Sequence, residues 1–235
     1  MTSTITLYVD YRSPFSYLIK EEAYALARDF DVTLLWQPFT VDLQGAYGGE
    51  VEERTDRDWR KVRYSYMDAR RLGARRNLII RGTRKIYDPT IAHIGMLLAS
   101  QTDGSVFRRY HDALCGRFWR GDLDIEDREA IRSLLLEAGA EGPVFDELVE
   151  SGEGVRQCRA IAAEAEERGV FGVPTFVLAQ TGELFWGTDR VWLLRERLSK
   201  YAHRPDNSFA RHQGSASLVS LIASETDPAQ ERAAR

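Results

Sequence analysis

Ser13 stands where a strand-forming run, Ile5-Thr6-Leu7-Tyr8-Val9, gives way through Asp10-Tyr11-Arg12 to a helical run that opens with Pro14. Serine followed by proline starts a helix for a physical reason. The hydroxyl oxygen accepts from an orphan amide at the N-cap, and proline at the first helical position has no amide to lose. The same hydroxyl keeps a hydrogen to donate, so Ser13 is either a cap alone or a cap that also holds an anion at the positive end of the helix. Ser16 lies one turn further in and reads as structural. The second constellation is Val170-Phe171-Gly172-Val173-Pro174-Thr175-Phe176. There Val173-Pro174 either presents main-chain groups to an extended peptide or simply opens an edge strand. Asp189 lies near the start of the last helical run, where a carboxylate serves the helix dipole or recognises a ligand.

The chain does not supply a reactive sulfur at these places. Its two cysteines, Cys115 and Cys158, are far from Ser13 and lack metal-ligand spacing. They read as inert thiols of a reducing, cytoplasmic compartment. His93 and His111 fall within helical runs without a ligand partner at metal spacing and receive no role; no metal site and no phosphate-binding glycine loop is expected. Arg81, Arg84 and Lys85 read as a solvated charge run or as anion-binding groups. Phe118 and Trp119 read as core or as the lining of an apolar pocket. The 235 residues carry a net charge of −4, with 43% hydrophobic and 29% charged residues. That balance predicts no nucleic-acid partner and no membrane partner. The longest apolar runs are far short of a bilayer span, and the first strand starts too early to leave room for a signal peptide.

The elements that must position these residues fall into three blocks. Strand 5–9, a helix from Ser13 through Ala27, and the strand Val32-Thr33-Leu34-Leu35-Trp36 make a βαβ unit. From about residue 55 to 168 the pattern is helical throughout. It begins with Trp59, Val62, Tyr66, Ala69 and Leu72, a run that Gly73 is expected to stop. Asp88-Pro89 opens a helix over Thr90–Ser100, and further helices span 106–119, 127–138, 144–150 and 155–168. Strand character returns at Thr175–Leu178 and Leu184–Trp186, and a last helix runs from Thr188 to Tyr201, completing a ββα unit. The reading is therefore α/β: residues 1–42 and 169–202 form one domain and 43–168 an all-helical insertion. Residues 203–235 form a disordered tail in which 217–224 make a short helix.

Asp10-Tyr11-Arg12-Ser13-Pro14-Phe15-Ser16, Val170 to Phe176 and Phe185-Trp186-Gly187-Thr188-Asp189-Arg190, in this order, resemble three signatures of one family. It is the 2-hydroxychromene-2-carboxylate isomerases, which together with the kappa-class glutathione transferases form part of the DsbA-like branch of the thioredoxin superfamily. In these proteins Ser-x-x-Ser stands where oxidoreductases carry Cys-x-x-Cys. The resemblance covers about residues 5 to 200. It implies a DsbA-like thioredoxin fold with a helical insertion, glutathione as cofactor, a cis peptide bond before Pro174, and a homodimer. It also implies that Ser13 hydrogen-bonds the glutathione sulfur, with Pro14 and Phe15 beside it. Val173 would pair with the tripeptide as an added strand, and Thr188 and Asp189 would hold the γ-glutamyl end. The chain departs from the family at Thr188, often asparagine in relatives, and in the loop from Ile80 to Tyr87, which replaces a Pro- and Asn-bearing loop on the substrate side.

A free thiol of this kind ionises near ~8.5. A hydroxyl hydrogen bond to the charged sulfur contributes ~1.5–3 kcal/mol and the helix terminus ~0.3–1 kcal/mol. Together these lower the thiol pKa by roughly one to three units, enough to ionise most of it at neutral pH without a histidine base. The expected activity is glutathione-dependent isomerisation of an unsaturated carbonyl compound. Glutathione transfer to an electrophile and a non-catalytic, peptide-binding thioredoxin-like module are the alternatives.

Overall fold

Strand β1, Ser3–Val9, is buried on both faces from Ile5 onward. A strand with that pattern belongs at the centre of a sheet. The computed structural model describes residues 3–47 and 51–202 and places β1 there. Strand β2, Val32–Pro38, runs parallel to it on one side; β3, Thr175–Leu178, runs antiparallel on the other and pairs in turn with β4, Leu184–Trp186. The order is β2-β1-β3-β4. Residues distant in sequence thus share one mixed sheet, as expected from the βαβ and ββα units.

The helix after Ser13 is two helices. Helix α1, Pro14–Leu18, and α2, Lys20–Asp29, are separated only at Ile19. Ile19 keeps helical dihedrals and helical hydrogen bonds on both sides, from its amide to Phe15 and from the Ala23 amide to its carbonyl. The interruption is a one-residue bend. A short helix α3, Leu43–Tyr47, follows β2 and was not foreseen. Helix α4, Asp56–Ala74, starts with a reciprocal cap between Thr55 and Asp58.

Gly73 does not end α4, contrary to expectation. It is buried inside the helix, where a side chain would stand 3.1 Å from both the Leu78 carbonyl and Ile80 Cδ1. The glycine permits the returning loop to press on the helix, a close approach and not a left-handed cap.

Helices α5 (Thr90–Thr102), α6 (Gly104–Arg120), α7 (Arg128–Ala138), α8 (Gly142–Glu150) and α9 (Glu153–Glu167) follow. Among the described residues no strand lies between β2 and β3. Helices α5 and α9 pack on β2, so the helical block and the sheet share contacts. Phe118 and Trp119 are core residues, 6% and 1% exposed. The last helix, α10, spans Val191–Ala202 and is preceded by a 3-10 turn, Thr188–Arg190, where a helical start had been expected. The residues assigned to a tail, 203–235, lie outside those described.

Candidate active site

The sheet register gathers the three sequence signatures at one end of the sheet. Tyr8 pairs with Thr175, and Thr175 with Trp186. The end of β1, the start of β3 and the end of β4 are therefore neighbours. Ser13 follows the first, Val173-Pro174 precedes the second, and Thr188-Asp189 follows the third.

Ser13 is the N-cap of α1, in extended conformation (φ −90°, ψ 116°), and its Oγ accepts from the Ser16 amide at 3.3 Å. Its own amide donates to the Asp10 carbonyl at 2.9 Å. The side chain is partly exposed, and among the described residues its hydroxyl hydrogen has no acceptor. Pro14 is buried at the first helical position and Phe15 is half-buried. Ser16 is buried, and its Oγ accepts from the Asp10 amide at 3.3 Å. The first serine is thus free to serve a ligand and the second serves the fold.

The Val173-Pro174 peptide bond is cis. Val173 packs against the buried cluster of Tyr8, Phe39, Ala165, Val170 and Val177. Its amide and carbonyl have no hydrogen-bond partner among the described residues, whereas the next carbonyl, of Pro174, accepts from Gly187 at 2.8 Å. Two open main-chain groups just ahead of β3 fit an added strand. Phe171 and Trp186, 70% and 53% exposed, stand over this segment with ring centroids 5.0 Å apart. Gly172 lies beneath the indole, and a Cβ there would come within 2.9 Å of Trp186 Nε1.

Thr188 is half-buried, and Asp189 is exposed and paired with Arg190. Gly187, at φ +93°, turns the chain into this segment. Arg81 and Arg84 line a separate cavity of about 310 Å³ with Tyr87 and Phe118, while Lys85 is paired with Glu126.

Behind Ser13 lies a buried polar cluster that the sequence reading missed. Asp10 is 1% exposed and accepts from Arg12 Nε at 3.1 Å and Nη2 at 2.7 Å, from the Arg12 amide at 2.8 Å and from the Val41 amide at 3.0 Å. Arg12 continues to the carbonyls of Val41, at 2.8 Å, and Tyr87, at 3.4 Å. Burial works to raise the Asp10 pKa, but the Arg12 guanidinium and these donors outweigh it and hold the carboxyl below its usual range. His93 is fully buried; its Nδ1 meets Thr40 Oγ1 at 3.3 Å, and its Nε2 lacks a hydrogen bond and lies 4.0 Å from Asp10 Oδ1. Tyr11 lies between His93 and His111, its hydroxyl 3.3 Å from His111 Nδ1. Burial lowers the pKa of His93 to about 4 and that of His111 to about 3, so both are neutral. The available signal was a histidine in the otherwise apolar run from Ile91 to Ala99, and an aspartate two residues before an arginine at a strand end.

Cys115 is buried, its Sγ 3.8 Å from His111 Nε2, and burial raises its pKa strongly. Cys158 is pushed up to about 11 by the same cause. They lie on α6 and α9, and neither occupies the start of α1. Among the described residues no cluster of histidine, cysteine and acidic groups could hold a metal ion, and no helix is long and apolar enough to cross a membrane.

The model of the DSBA-like thioredoxin domain matches residues 4–199. Two relatives named 2-hydroxychromene-2-carboxylate isomerase are similar over most of the chain. The one from Sphingobium xenophagum is 28% identical, over 84% of this chain and 99% of its own length. The one from Pseudomonas putida is 25% identical, over 83% and 94%. Among solved structures, a 2-hydroxychromene-2-carboxylate isomerase superposes with a TM-score of 0.70 at 23% identity, covering 85% of this chain and 96% of that one. A probable DsbA oxidoreductase from Streptomyces coelicolor does so with a TM-score of 0.68 at 19% identity, covering 88% and 93%. At these identities the structural likeness establishes the fold, while the match of the domain model over most of the chain settles the family: this protein belongs to the DSBA-like thioredoxin domain family.

Proposed function

We propose that the protein is a glutathione-dependent isomerase of the kind its relatives are named for, acting on an unsaturated carbonyl compound. The observation that carries this reading is the Ser13 hydroxyl. It caps α1 with its oxygen, keeps its hydrogen uncommitted, and follows β1 at the end of the sheet where Val173 leaves its amide and carbonyl open. That pair of features fits a thiol-bearing peptide.

Glutathione, when bound, supplies a thiol that can add reversibly to a conjugated carbonyl compound and be released unchanged. The chain's own contribution is to hold that thiol ionised and in place. Ser13 donates its hydroxyl hydrogen to the sulfur, and the N-terminus of α1 adds its positive end. Pro14 fixes the direction in which the helix sets out and leaves no competing amide there. Phe15 shields one side of the sulfur. Val173 pairs its amide and carbonyl with the peptide backbone. Thr188 and Asp189, at the same end of the sheet, hold the γ-glutamyl end, with Asp189 facing its ammonium group. The buried Asp10–Arg12 pair holds the loop that carries Ser13 rigid. With serine in place of cysteine at the helix start and both cysteines elsewhere, the proposed chemistry is not dithiol exchange.

Isothermal titration with glutathione tests the reading. The wild type binds and Ser13→Ala binds more weakly; absence of binding by the wild type refutes it.

A further inference from the structure

The net charge of −4 conceals a strong internal polarity. Residues 54–85 hold twelve lysines and arginines against three aspartates, while the rest of the chain holds twenty basic and thirty-three acidic side chains. Part of this excess is neutralised: Lys61 pairs with Asp58, Arg76 with Glu22 and Lys85 with Glu126. Arg57, Arg60, Arg63, Arg71 and Arg75 are exposed, and among the described residues none has an ion-pair partner.

Their arrangement is not diffuse. At 3.6 residues per turn Arg57, Arg60, Tyr64, Met67 and Arg71 fall on one face of α4, opposite the side that buries Ala69 and Gly73. Tyr64 is 58% and Met67 40% exposed. Solvent-facing apolar groups set between unpaired guanidinium groups are suited to an anionic lipid surface. There the cations meet headgroup phosphates and the apolar side chains enter the region beneath. A polynucleotide would use the arginines but would leave Met67 without a partner.

We propose that the outer face of α4 docks the protein peripherally on anionic membranes. The inference does not depend on glutathione, and its test uses none. The full chain is sedimented with phosphatidylcholine vesicles that contain or lack phosphatidylglycerol. It co-sediments with the mixed vesicles at low salt, stays in solution with the neutral ones, and is released as salt screens the headgroups. Reversing three charges in Arg57→Glu/Arg60→Glu/Arg71→Glu lowers partitioning roughly a hundredfold or more. Tyr64→Ser/Met67→Ser keeps the charges and lowers it several-fold, which carries the test if the triple variant does not fold. Failure to sediment with anionic vesicles overturns the proposal, as do equal binding to neutral vesicles and wild-type binding by both variants. Binding to labelled DNA in place of vesicles also overturns it, and would reassign the face to nucleic acid.

Discussion

The carboxylate of Asp10 and the guanidinium of Arg12 form a forked pair inside the protein, with side chains only 1% and 11% exposed. The pair ties together three loops: the one that carries Ser13, the one after β2 through Val41, and the one that ends at Tyr87. Removing the cation leaves a buried carboxylate held only by two amides. Arg12→Ala is expected to cost about 3 kcal/mol in urea unfolding, with Arg12→Lys intermediate because it cannot make the fork. A loss well under 1 kcal/mol would show that the cluster admits water.

Acid should destabilise the protein in two stages. The unfolded chain protonates its histidines near 6.5, whereas His93 and His111 hold off until about 4 and about 3 in the fold. Stability that is complete above pH 6.5 is therefore lost as pH falls toward 4, by roughly 3 kcal/mol for each histidine. Asp10, whose carboxyl is held down, adds its loss only as pH falls below the ordinary carboxylate range. Unfolding curves at pH 7 and pH 4.5 measure the first stage, and His93→Asn should roughly halve it. Equal stability at the two pH values would contradict the prediction.

The two serines of the first helix should separate cleanly. Ser13→Ala removes a cap, costing about 1 kcal/mol, and raises the pKa of bound glutathione by about one unit or more, followed by thiolate absorbance. Ser16→Ala orphans the buried Asp10 amide and costs ~1–3 kcal/mol but leaves the thiol pKa unchanged. Equal thiol shifts in the two variants would remove Ser13 from its assigned role.

A methyl group at position 95 has nowhere to go. The added Cβ would stand 2.3 Å from the Tyr110 hydroxyl, which donates to the Ala92 carbonyl at 2.8 Å in the interior of the helical block. Gly95→Ala should destabilise by ~2–4 kcal/mol through overpacking and loss of that bond, read from the thermal or urea midpoint.

The cysteines should be slow to react. At pH 8 neither Cys115 nor Cys158 is appreciably ionised, and Cys115 is buried. A chromogenic disulfide reagent should titrate two thiols in denaturant and label the native protein slowly, at Cys158 first. Fast labelling of Cys115 would show that α6 opens.

Local patterns made much of this architecture readable in advance. Strands β1 to β4 carry β-branched and aromatic runs bounded by turn residues, and Ser13-Pro14 and Asp127 announce their helix starts through hydrogen bonds made within three residues. Ile19 gives no such signal, since the bend there leaves every helical hydrogen bond to it in place. Gly73 was misread because its purpose lies in a contact with Leu78 and Ile80, which the chain makes only after turning back. The Asp10, Arg12, Thr40 and His93 cluster was illegible for the same reason. Its members come from separate segments, and what joins them is burial, which no single stretch of sequence expresses.

The seat of β2 at the margin of the sheet constrains how this architecture can be edited. Trp36 lies there against Phe107 and His111, rings 5.3 and 4.8 Å away, both supplied by α6. Excising the long segment between β2 and β3 to leave a minimal scaffold would take both rings from that tryptophan and leave only Tyr24 of α2, 5.5 Å away, among its aromatic neighbours. Such a truncated chain would recruit copies of itself edge to edge, so the segment acts as a built-in guard against aggregation and is not a detachable cassette.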